Sequence, residues 1–334
     1  MDQALPGRVL TGAAATLSRR GLLGAALALP TLARAQGWSP SRPITILVPN
    51  PPGGGSDFAA RLFSDGLARL LGQPVVVENR PGANGNLAIQ AAMRAAPDGH
   101  TILLNYSGYH AGNPVMMPQA GFDPLRDFVT LGMGTMAPHV ILAAPNLPVN
   151  DLAGFIALAR RSSFHYASAG PGSIQHIAGV LFSRAIGAEM VHVPYRGAAP
   201  ALQDVAGGRV EMFITTPSSA IGLIEAGRVK ALAMASARRS EALPDVPTTA
   251  EAGLPGFTID AWFAFFAPAA TPPAIRERYN AAFRELAQDP AVVQRARAGG
   301  AVVVPMTLAE LDALVAREVR ELAEVIRSAG IRLE

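Results

Sequence analysis

The chain has no cysteine among its 334 residues. Disulfide bonds, thiolate metal sites and cysteine nucleophiles are therefore excluded, and the absence is compatible with an oxidising compartment. Lysine is almost absent as well, because Lys230 is the only one. Charged residues make up 16% of the chain, and no basic block with interleaved aromatic residues occurs. We therefore expect no nucleic-acid partner.

Motifs of catalysis are also missing. The sequence contains no G-x-S-x-G, H-E-x-x-H or G-K-S/T, so it lacks these signatures of hydrolases, zinc proteases and phosphate-binding loops. The histidines show no spacing typical of a metal site. Each is interpreted as structural: His100, His110, His139, His165, His176 and His192. We expect no metal, no cofactor and no enzymatic activity.

Long apolar runs are missing after Gln36, and the run before it is short. Residues 24–32 follow Arg19 and Arg20 and precede an A-x-A cleavage site that ends at Ala35. This layout is typical of an export signal, and the paired arginines favour the twin-arginine route over the general one. An uncleaved anchor is the alternative, but a spanning helix needs about 20 apolar residues. We expect a cleaved signal peptide over residues 1–35 and a mature protein in the periplasm that does not span the membrane.

Removing the signal changes the charge balance. Residues 1–35 hold four of the 28 basic residues and one of the 25 acidic residues. The remaining chain has 24 of each and a formal net charge of zero. The basic pI therefore describes the precursor more than the mature protein.

The most informative segment is a glycine-rich turn between a strand and a helix. Ile44–Val48 is apolar and predicts a buried strand, three glycines follow at 53–55, and residues 57–71 show helical spacing. Glycine lets the backbone approach a ligand closely, and the helix directs unpaired N–H groups and its positive dipole end at the turn. The segment predicts an anion site that requires no charged side chain. The alternative is a plain turn with Ser56 or Asp57 as the helix N-cap.

Strands and helices alternate along the chain. The first half predicts strands over 44–48, 75–78 and 101–105 and helices over 57–71 and 87–95. This alternation predicts a parallel, doubly wound sheet whose ligand lies at the carboxyl ends of the strands. A second α/β unit has its own Gly/Ser turn at 169–173. Its strands are predicted over 129–133, 140–144, 166–168, 189–193, 210–214 and 229–234, and terminal helices over 273–288, 290–298 and 308–329. The fold class is α/β with two lobes and a ligand cleft; one large doubly wound domain is the alternative.

Several motifs in order along the chain carry a family resemblance. They are Val-Pro-Asn-Pro-Pro-Gly-Gly-Gly-Ser-Asp at 48–57, Leu-Gly-Gln-Pro-Val-Val-Val-Glu-Asn-Arg-Pro-Gly-Ala at 71–83, Ala-Pro-Asp-Gly-His-Thr at 96–101, Tyr-Ala-Ser-Ala-Gly at 166–170, His-Val-Pro-Tyr-Arg-Gly at 192–197, Leu-Pro-Asp-Val-Pro-Thr at 243–248 and Phe-Ala-Pro at 266–268. With them, the chain from residue 42 to about residue 331 resembles the extracytoplasmic solute receptors of tripartite tricarboxylate transporters, the Bug family.

The resemblance implies a type II periplasmic binding protein fold with two parallel-rich sheets flanked by helices. It places crossing strands near 137–143 and 258–262, so that lobe one comprises residues 36–140 and 259–334 and lobe two residues 141–258. It also implies a receptor that captures a small organic carboxylate and delivers it to a membrane permease. The alternatives are an enzyme that acts on anionic metabolites and a sensory module that presents its closed form to a membrane kinase.

Candidate ligand-binding residues lie at the strand ends. Asp57 is assigned to helix capping first, because its carboxylate would repel an anion, and Arg196 is weighed equally as a ligand of a second carboxylate and as a surface arginine. Thr215 and Thr216 stand where many relatives have an acidic residue, which disfavours a ligand ammonium group. The predicted set is Pro52, Gly53, Gly54, Gly55, Ser56, Asp57, Tyr106, Ser107, Ser168, Gly170, Gly172, Ser173, Tyr195, Arg196, Thr215 and Thr216.

Overall fold

The computed structural model describes residue 1 and residues 38–117 and 119–332, so the predicted signal peptide lies, Met1 apart, outside the described residues. The first part of the fold alternates strands and helices. It consists of β1 (Ile44–Val48), α1 (Gly55–Leu71), β2 (Val75–Asn79), α2 (Asn86–Met93) and β3 (Thr101–Tyr106). β1 pairs in parallel with both β2 and β3. The predicted parallel sheet is therefore confirmed, and its carboxyl ends lie beside the start of α1.

α1 shows why this unit is stable. Leu62, Phe63 and Leu67 recur at helical spacing and are buried in the main core, which contributes about 1.5–3 kcal/mol for each such side chain. The helix ends at Gly72, whose φ of 74° is the left-handed conformation that glycine adopts without strain.

The long strand β4 (Phe128–Ala143) corrects the sequence interpretation. Two strands were expected over 129–133 and 140–144, but the strand is continuous for 16 residues. Gly132 and Gly134 weaken the local strand pattern, and antiparallel pairing with β9 (Asp260–Pro268) holds the segment extended. The register shifts next to these glycines, which is how a β-bulge accommodates the extra residue.

β4 also connects the two parts of the sheet. Its first part pairs with β9, and its last part pairs with the strands of the second α/β unit. The second unit consists of α4 (Leu152–Ala159), β5 (Phe164–Ser168), α5 (Ile174–Ile186), β6 (Met190–Pro194), α6 (Ala198–Ala206), β7 (Met212–Thr215), α7 (Pro217–Glu225) and β8 (Lys230–Ala235). The strand order is β2-β1-β3-β9-β4-β7-β5-β6, with β8 also paired with β4. The assignment of particular residues to two lobes stays a prediction.

Two helical segments were not predicted. A π-helix (Gly108–Gly112) runs into the short α3 (Asn113–Met116), and α7 begins at Pro217 directly after β7. Proline is favoured in the first helical turn because its missing N–H has no helical partner there. α8 (Pro273–Leu286), α9 (Pro290–Ala298) and α10 (Leu308–Ser328) complete the fold. Across the described residues, none of the helices combines the length and apolar character that crossing a membrane requires.

Candidate functional site

The first glycine loop, residues 49–55, joins β1 to α1. Gly53 has φ of 86°, a left-handed conformation that favours glycine. Gly54 is the N-cap of α1 and has no side chain to bind the N–H groups of the first turn. The expectation that Ser56 or Asp57 would be the N-cap is therefore wrong, because the helix begins two residues before Asp57. The first N–H groups of α1 are left to a ligand or water.

Asp57 is committed to a network beside this loop. Its carboxylate accepts hydrogen bonds from Gly53 N at 3.1 Å, Arg61 Nε at 3.0 Å and Asn79 Nδ2 at 3.1 Å. Burial opposes ionisation, but these three donors and the Arg61 charge outweigh it and lower the pKa of Asp57. The side chain thus holds the loop against α1 and the end of β2.

Ser56 is bonded to Asn50, which follows β1, and Tyr106 lies at the end of the neighbouring strand β3. The Ser56 hydroxyl donates to Asn50 Oδ1 at 2.8 Å, and the Asn50 carbonyl accepts from Asn79 Nδ2 at 2.9 Å. Burial raises the pKa of Tyr106 well above its ordinary value, with the neighbouring Tyr109 adding to the shift. Tyr106 therefore keeps its proton and remains a possible donor.

The second glycine loop, residues 169–173, is held by its own serines. Ser173 is the N-cap of α5: it accepts from His176 N at 3.2 Å and donates to the Gly170 carbonyl at 2.7 Å. Ser168 Oγ accepts from Gly170 N at 3.1 Å and lies 2.6 Å from His192 Nε2. Both serines are fully buried. Their hydroxyl groups are hydrogen-bonded within and beside the loop, so they stabilise its conformation.

Four helix N-termini meet at a small inner cavity. They belong to α1, α5, α6 and α7, and the cavity provides about 20 Å³ for the centre of a water-sized sphere. Of the described residues, none with a carboxylate, ammonium or guanidinium group lines it. The lining residues are Asn50, Gly54, Gly55, Ser56, Tyr106, His139, Ala169, Ile174, Gln175, Ala198, Thr216 and Phe263.

Three side chains of this inner cavity carry unpaired polar atoms. Tyr106 Oη, both ring nitrogens of His139 and Gln175 Oε1 are buried without a hydrogen-bond partner among the described residues. Burial lowers the pKa of His139 to about 4, so the ring is neutral at neutral pH. Buried polar atoms are nearly always hydrogen-bonded. The unpaired atoms here therefore indicate that a polar ligand group or water binds in this cavity.

A larger outer cavity of about 590 Å³ adjoins the inner one, because Asn50 and Ala169 line both. Arg196 is exposed there and is the only described residue with a charged group in the lining. Tyr195 donates to Asp204 at 2.8 Å, and burial together with this bond raises its pKa to about 12. The outer cavity is lined by Pro49, Asn50, Pro51, Pro81, Gly82, Ala83, Asn84, Gly85, Tyr109, Ala169, Gly170, Pro171, Tyr195, Arg196 and Gly197.

The two glycine-rich sides approach each other closely. A Cβ on Gly197 would lie 2.8 Å from Pro51, and one on Gly55 would lie 3.0 Å from Thr216 Oγ1. A Cβ on Gly170 would lie 3.7 Å from Asn84 Oδ1. Glycine at these positions therefore permits the close approach that encloses the inner cavity.

The structure brings half of the predicted site residues to the two cavities. Gly54, Gly55, Ser56, Tyr106 and Thr216 line the inner one, and Gly170, Tyr195 and Arg196 line the outer one. The others lie beside the cavities: Pro52, Gly53, Asp57, Ser107, Ser168, Gly172, Ser173 and Thr215. Gly172, for example, donates its N–H to His176 Nδ1 at 3.1 Å. The binding role of each residue stays a prediction.

Sequence reasoning missed several lining residues. Asn50 directly follows the first strand motif and carried a usable signal, because polar residues at strand ends face the crevice. Gln175 occupies the second position of α5, where a ligand at the helix N-terminus lies in reach. His139 was interpreted as structural and lies inside β4, where nothing in the sequence marks its direction.

Comparisons with known proteins identify the family of the chain. The family model described as "Tripartite tricarboxylate transporter family receptor" matches residues 59–331. The chain belongs to this family. Protein BugT of Bordetella pertussis is 37% identical over 298 residues, which cover 88% of this chain and 91% of BugT. Receptors of this family bind solutes for transport, and the chain is such a solute receptor.

The chain is also similar in structure to solved periplasmic binding proteins. Periplasmic binding protein BugD is 31% identical with a TM-score of 0.84, covering 88% of this chain and 100% of BugD. Rpa4515 from R. palustris with adipate is 32% identical with a TM-score of 0.85, covering 88% and 99%. MatC from Rhodopseudomonas palustris with bound malate is 34% identical with a TM-score of 0.81, covering 86% and 99%. The chain has the mixed α/β fold of periplasmic binding proteins.

Proposed function

We propose that this receptor binds a small organic carboxylate in the cleft formed by the inner and outer cavities. The observation that carries the proposal is the meeting of four helix N-termini at a cavity lined by no charged group of the described residues. Each N-terminus contributes about 0.3–1 kcal/mol toward an anion, and more where the geometry is partly buried. The similarity to receptors solved with adipate and with malate supports the same ligand class.

The two cavities contact different parts of the proposed ligand. The inner one offers N–H groups of α1 and α5 with the Tyr106 hydroxyl, which suits one carboxylate end. The outer one offers the guanidinium of Arg196 and space for a carbon skeleton, and Arg196 can pair with a second carboxylate in bidentate fashion. The solute class is therefore small carboxylates, with room for a second acidic group.

Delivery completes the proposed function. The chain is exported with a cleaved signal peptide, binds its solute in the periplasm without turnover, and presents the closed form to a membrane permease of the tripartite type. Its two lobes, residues 36–140 with 259–334 and residues 141–258, close over the ligand. Closure excludes water, and it couples the solute to the permease because both favour the same state.

Calorimetry of the mature protein tests the ligand class. Mono-, di- and tricarboxylates, amino acids and sugars are titrated in turn, and the compound is recovered afterwards and assayed for change. We expect tight binding of one or a few carboxylates and recovery of the unchanged compound. Binding confined to amino acids or sugars, or turnover of the bound compound, would contradict the proposal. Uptake of the bound solute by a membrane permease is then measured with and without the receptor. Uptake that requires the receptor would support a role in transport over a role in sensing.

A further inference from the structure

Asn105 lies in β3 directly before Tyr106, and both ends of its amide group are hydrogen-bonded inside the protein. Its oxygen Oδ1 accepts from Tyr106 N at 3.0 Å, and its nitrogen Nδ2 lies 3.2 Å from His110 Nδ1. Asn105 and His110 are both completely buried. A buried amide group that is bonded at both ends is held in one orientation, so Asn105 fixes the backbone at Tyr106.

This arrangement determines what the His110 ring does. A peptide N–H only donates, so the oxygen of Asn105 faces Tyr106 and its NH₂ group faces His110. His110 Nδ1 is therefore the acceptor, which requires a neutral ring. Burial lowers the pKa of His110 to about 3, so the ring is neutral at neutral pH.

The π-helix returns His110 to Asn105, five residues earlier in the chain. β3 ends at Tyr106, and the π-helix begins two residues later, at Gly108. The His110 ring also stacks on the Phe266 ring of β9, with the ring centres 4.1 Å apart. The side chain thus has two separate contacts, a stacked ring and a hydrogen-bond acceptor. Helices of this type are rare and occur frequently at functional sites.

His110 lies behind the two cavities and lines neither of them. Tyr106, which Asn105 holds, lines the inner cavity, and Tyr109, the residue before His110, lines the outer one. The two tyrosine rings are in contact, with centres 4.7 Å apart. A shift of the backbone at Tyr106 would therefore move a hydroxyl donor of the inner cavity.

Resting on the proposed function, we infer that His110 is a positioning residue for solute binding, which acts through Asn105 to hold the Tyr106 hydroxyl where it meets the bound carboxylate. His110 does not touch the solute. Its hydrogen bond to Asn105 serves binding, and its stacking on Phe266 serves stability.

Two substitutions at His110 separate the hydrogen bond from the stacking. His110→Phe keeps a ring against Phe266 and removes the acceptor. His110→Asn removes the ring and keeps an acceptor, because its Oδ1 takes the position of Nδ1. We expect His110→Phe to weaken carboxylate binding by about 10-fold or more. We expect His110→Asn to lose less affinity, although its melting temperature falls further because it leaves a cavity.

Calorimetry measures the affinity with a panel of acetate, succinate, malate, adipate and citrate, using each compound that binds the wild type. His100→Phe is the matched control. His100 is also buried, accepts from Ser41 N at 3.1 Å and lines neither cavity. The control should lower the melting temperature and leave the affinity unchanged.

The route through Asn105 has its own test. Asn105→Ala removes the donor of the same hydrogen bond, and we expect it to weaken binding as His110→Phe does. Because His110 acts through Asn105, the double variant should bind no more weakly than Asn105→Ala alone. Asn105→Ala also takes the place of His110→Phe if that variant does not fold.

The outcomes separate this inference from the proposed function. Full affinity in folded His110→Phe, or an equal loss in His110→Phe and His110→Asn, overturns the positioning role. An equal loss in the control His100→Phe overturns it too, because destabilisation alone would then weaken binding. Losses that add in the double variant overturn the route through Asn105. If no compound of the panel binds the wild type, the proposed function itself fails, before any variant is measured.

Discussion

Gly54 is the residue at which stability and binding can be separated. A Cβ there has no other atom within 4 Å, and the extended backbone with φ of −94° accepts any residue. Aspartate is a better N-cap than glycine by a few tenths of a kcal/mol. In Gly54→Asp we therefore expect α1 to be at least as stable, while the new negative charge weakens carboxylate binding by at least about 10-fold.

Gly54→Asn is the control for this prediction, since it has the same shape without the charge. Urea denaturation measures the free energy of unfolding and calorimetry measures the affinity. Full affinity in Gly54→Asp would show that the first glycine loop is only a turn between β1 and α1.

For Asp57 we expect a substitution to change mainly the stability of the protein, whereas for Gly54 we expect it to change mainly the binding. Asp57 is only 6% exposed, and its carboxylate accepts three hydrogen bonds, one of them from Gly53 N. Asp57→Ala removes the acceptor of three partly buried hydrogen bonds, and we expect the free energy of unfolding to fall by about 1–3 kcal/mol. Asp65→Ala, an exposed position on the same helix, should change it little. An unaltered stability in Asp57→Ala would contradict the role of this side chain as the support of the loop.

A stacked pair of histidines makes the second glycine loop sensitive to acid. The rings of His176 and His192 lie 4.0 Å apart, and each contacts the loop through Gly172 N or Ser168 Oγ. Burial lowers the pKa of both to about 4, below the ordinary 6.5. Between these values the unfolded chain binds more protons, so stability is complete above about pH 6.5 and falls as the pH drops toward 4.

The melting temperature checks this prediction. We expect it to fall between about pH 7 and pH 5 and to fall less in the double variant His176→Gln and His192→Gln, because glutamine does not titrate. His165→Gln serves as control, since His165 lies apart from the stack beside Glu211. If the melting temperature falls equally in the wild type and in the double variant, these two histidines do not cause the acid sensitivity.

Much of the site was predictable at this scale, and the reason is local. Gly54, Gly55, Ser56 and Gly170 lie in strand–turn–helix segments whose residues are neighbours in the chain, so their spacing alone indicates a helix N-terminus. His139 and Gln175 belong to distant segments that meet only after folding. No local pattern reports that their side chains face one cavity.

At the scale of elements, β4 depends on a residue without a side chain. A Cβ on Gly132 would clash with the Phe283 ring of α8. We expect Gly132→Ala to displace this ring and to lower the free energy of unfolding by about 1–3 kcal/mol. Gly222→Ala in α7 is the matched control, because a Cβ there has open space and alanine favours a helix interior. Equal stability of the two variants would show that α8 accommodates the methyl group freely.

The sequence pattern failed at the same element. Gly132, Gly134 and Pro138 interrupt the apolar run, so two short strands were expected where β4 is continuous. The hydrogen bonds that extend β4 come from β9, more than 100 residues later in the chain. Strands β1 to β3 were predicted well because each is a short apolar run bounded by its own turn.

At the scale of the whole molecule, Gly55 tests the proposed closure. A Cβ there would lie 3.0 Å from Thr216 Oγ1 on the opposite side of the inner cavity and 2.8 Å from the Phe263 ring on its own side. We expect Gly55→Val to fold and to stay open, so that a solute that compacts the wild-type protein leaves the radius of gyration of the variant unchanged. Small-angle X-ray scattering with and without the solute measures this.

Gly54→Ala is the control, since its methyl group meets no other atom. Compaction of Gly55→Val to the same extent as Gly54→Ala would contradict the proposal that the two sides close by contact at this point.

The four helix N-termini have a consequence for the conditions under which the receptor works. Peptide N–H groups do not titrate in the physiological range, and the inner cavity lies away from the dissolved ions that screen exposed charges. At neutral pH, where the buried histidines of the folded protein are neutral, the helix N-termini attract an anion in the inner cavity without any charged side chain. The part of the affinity that comes from the inner cavity should therefore vary little with the salinity of the surroundings.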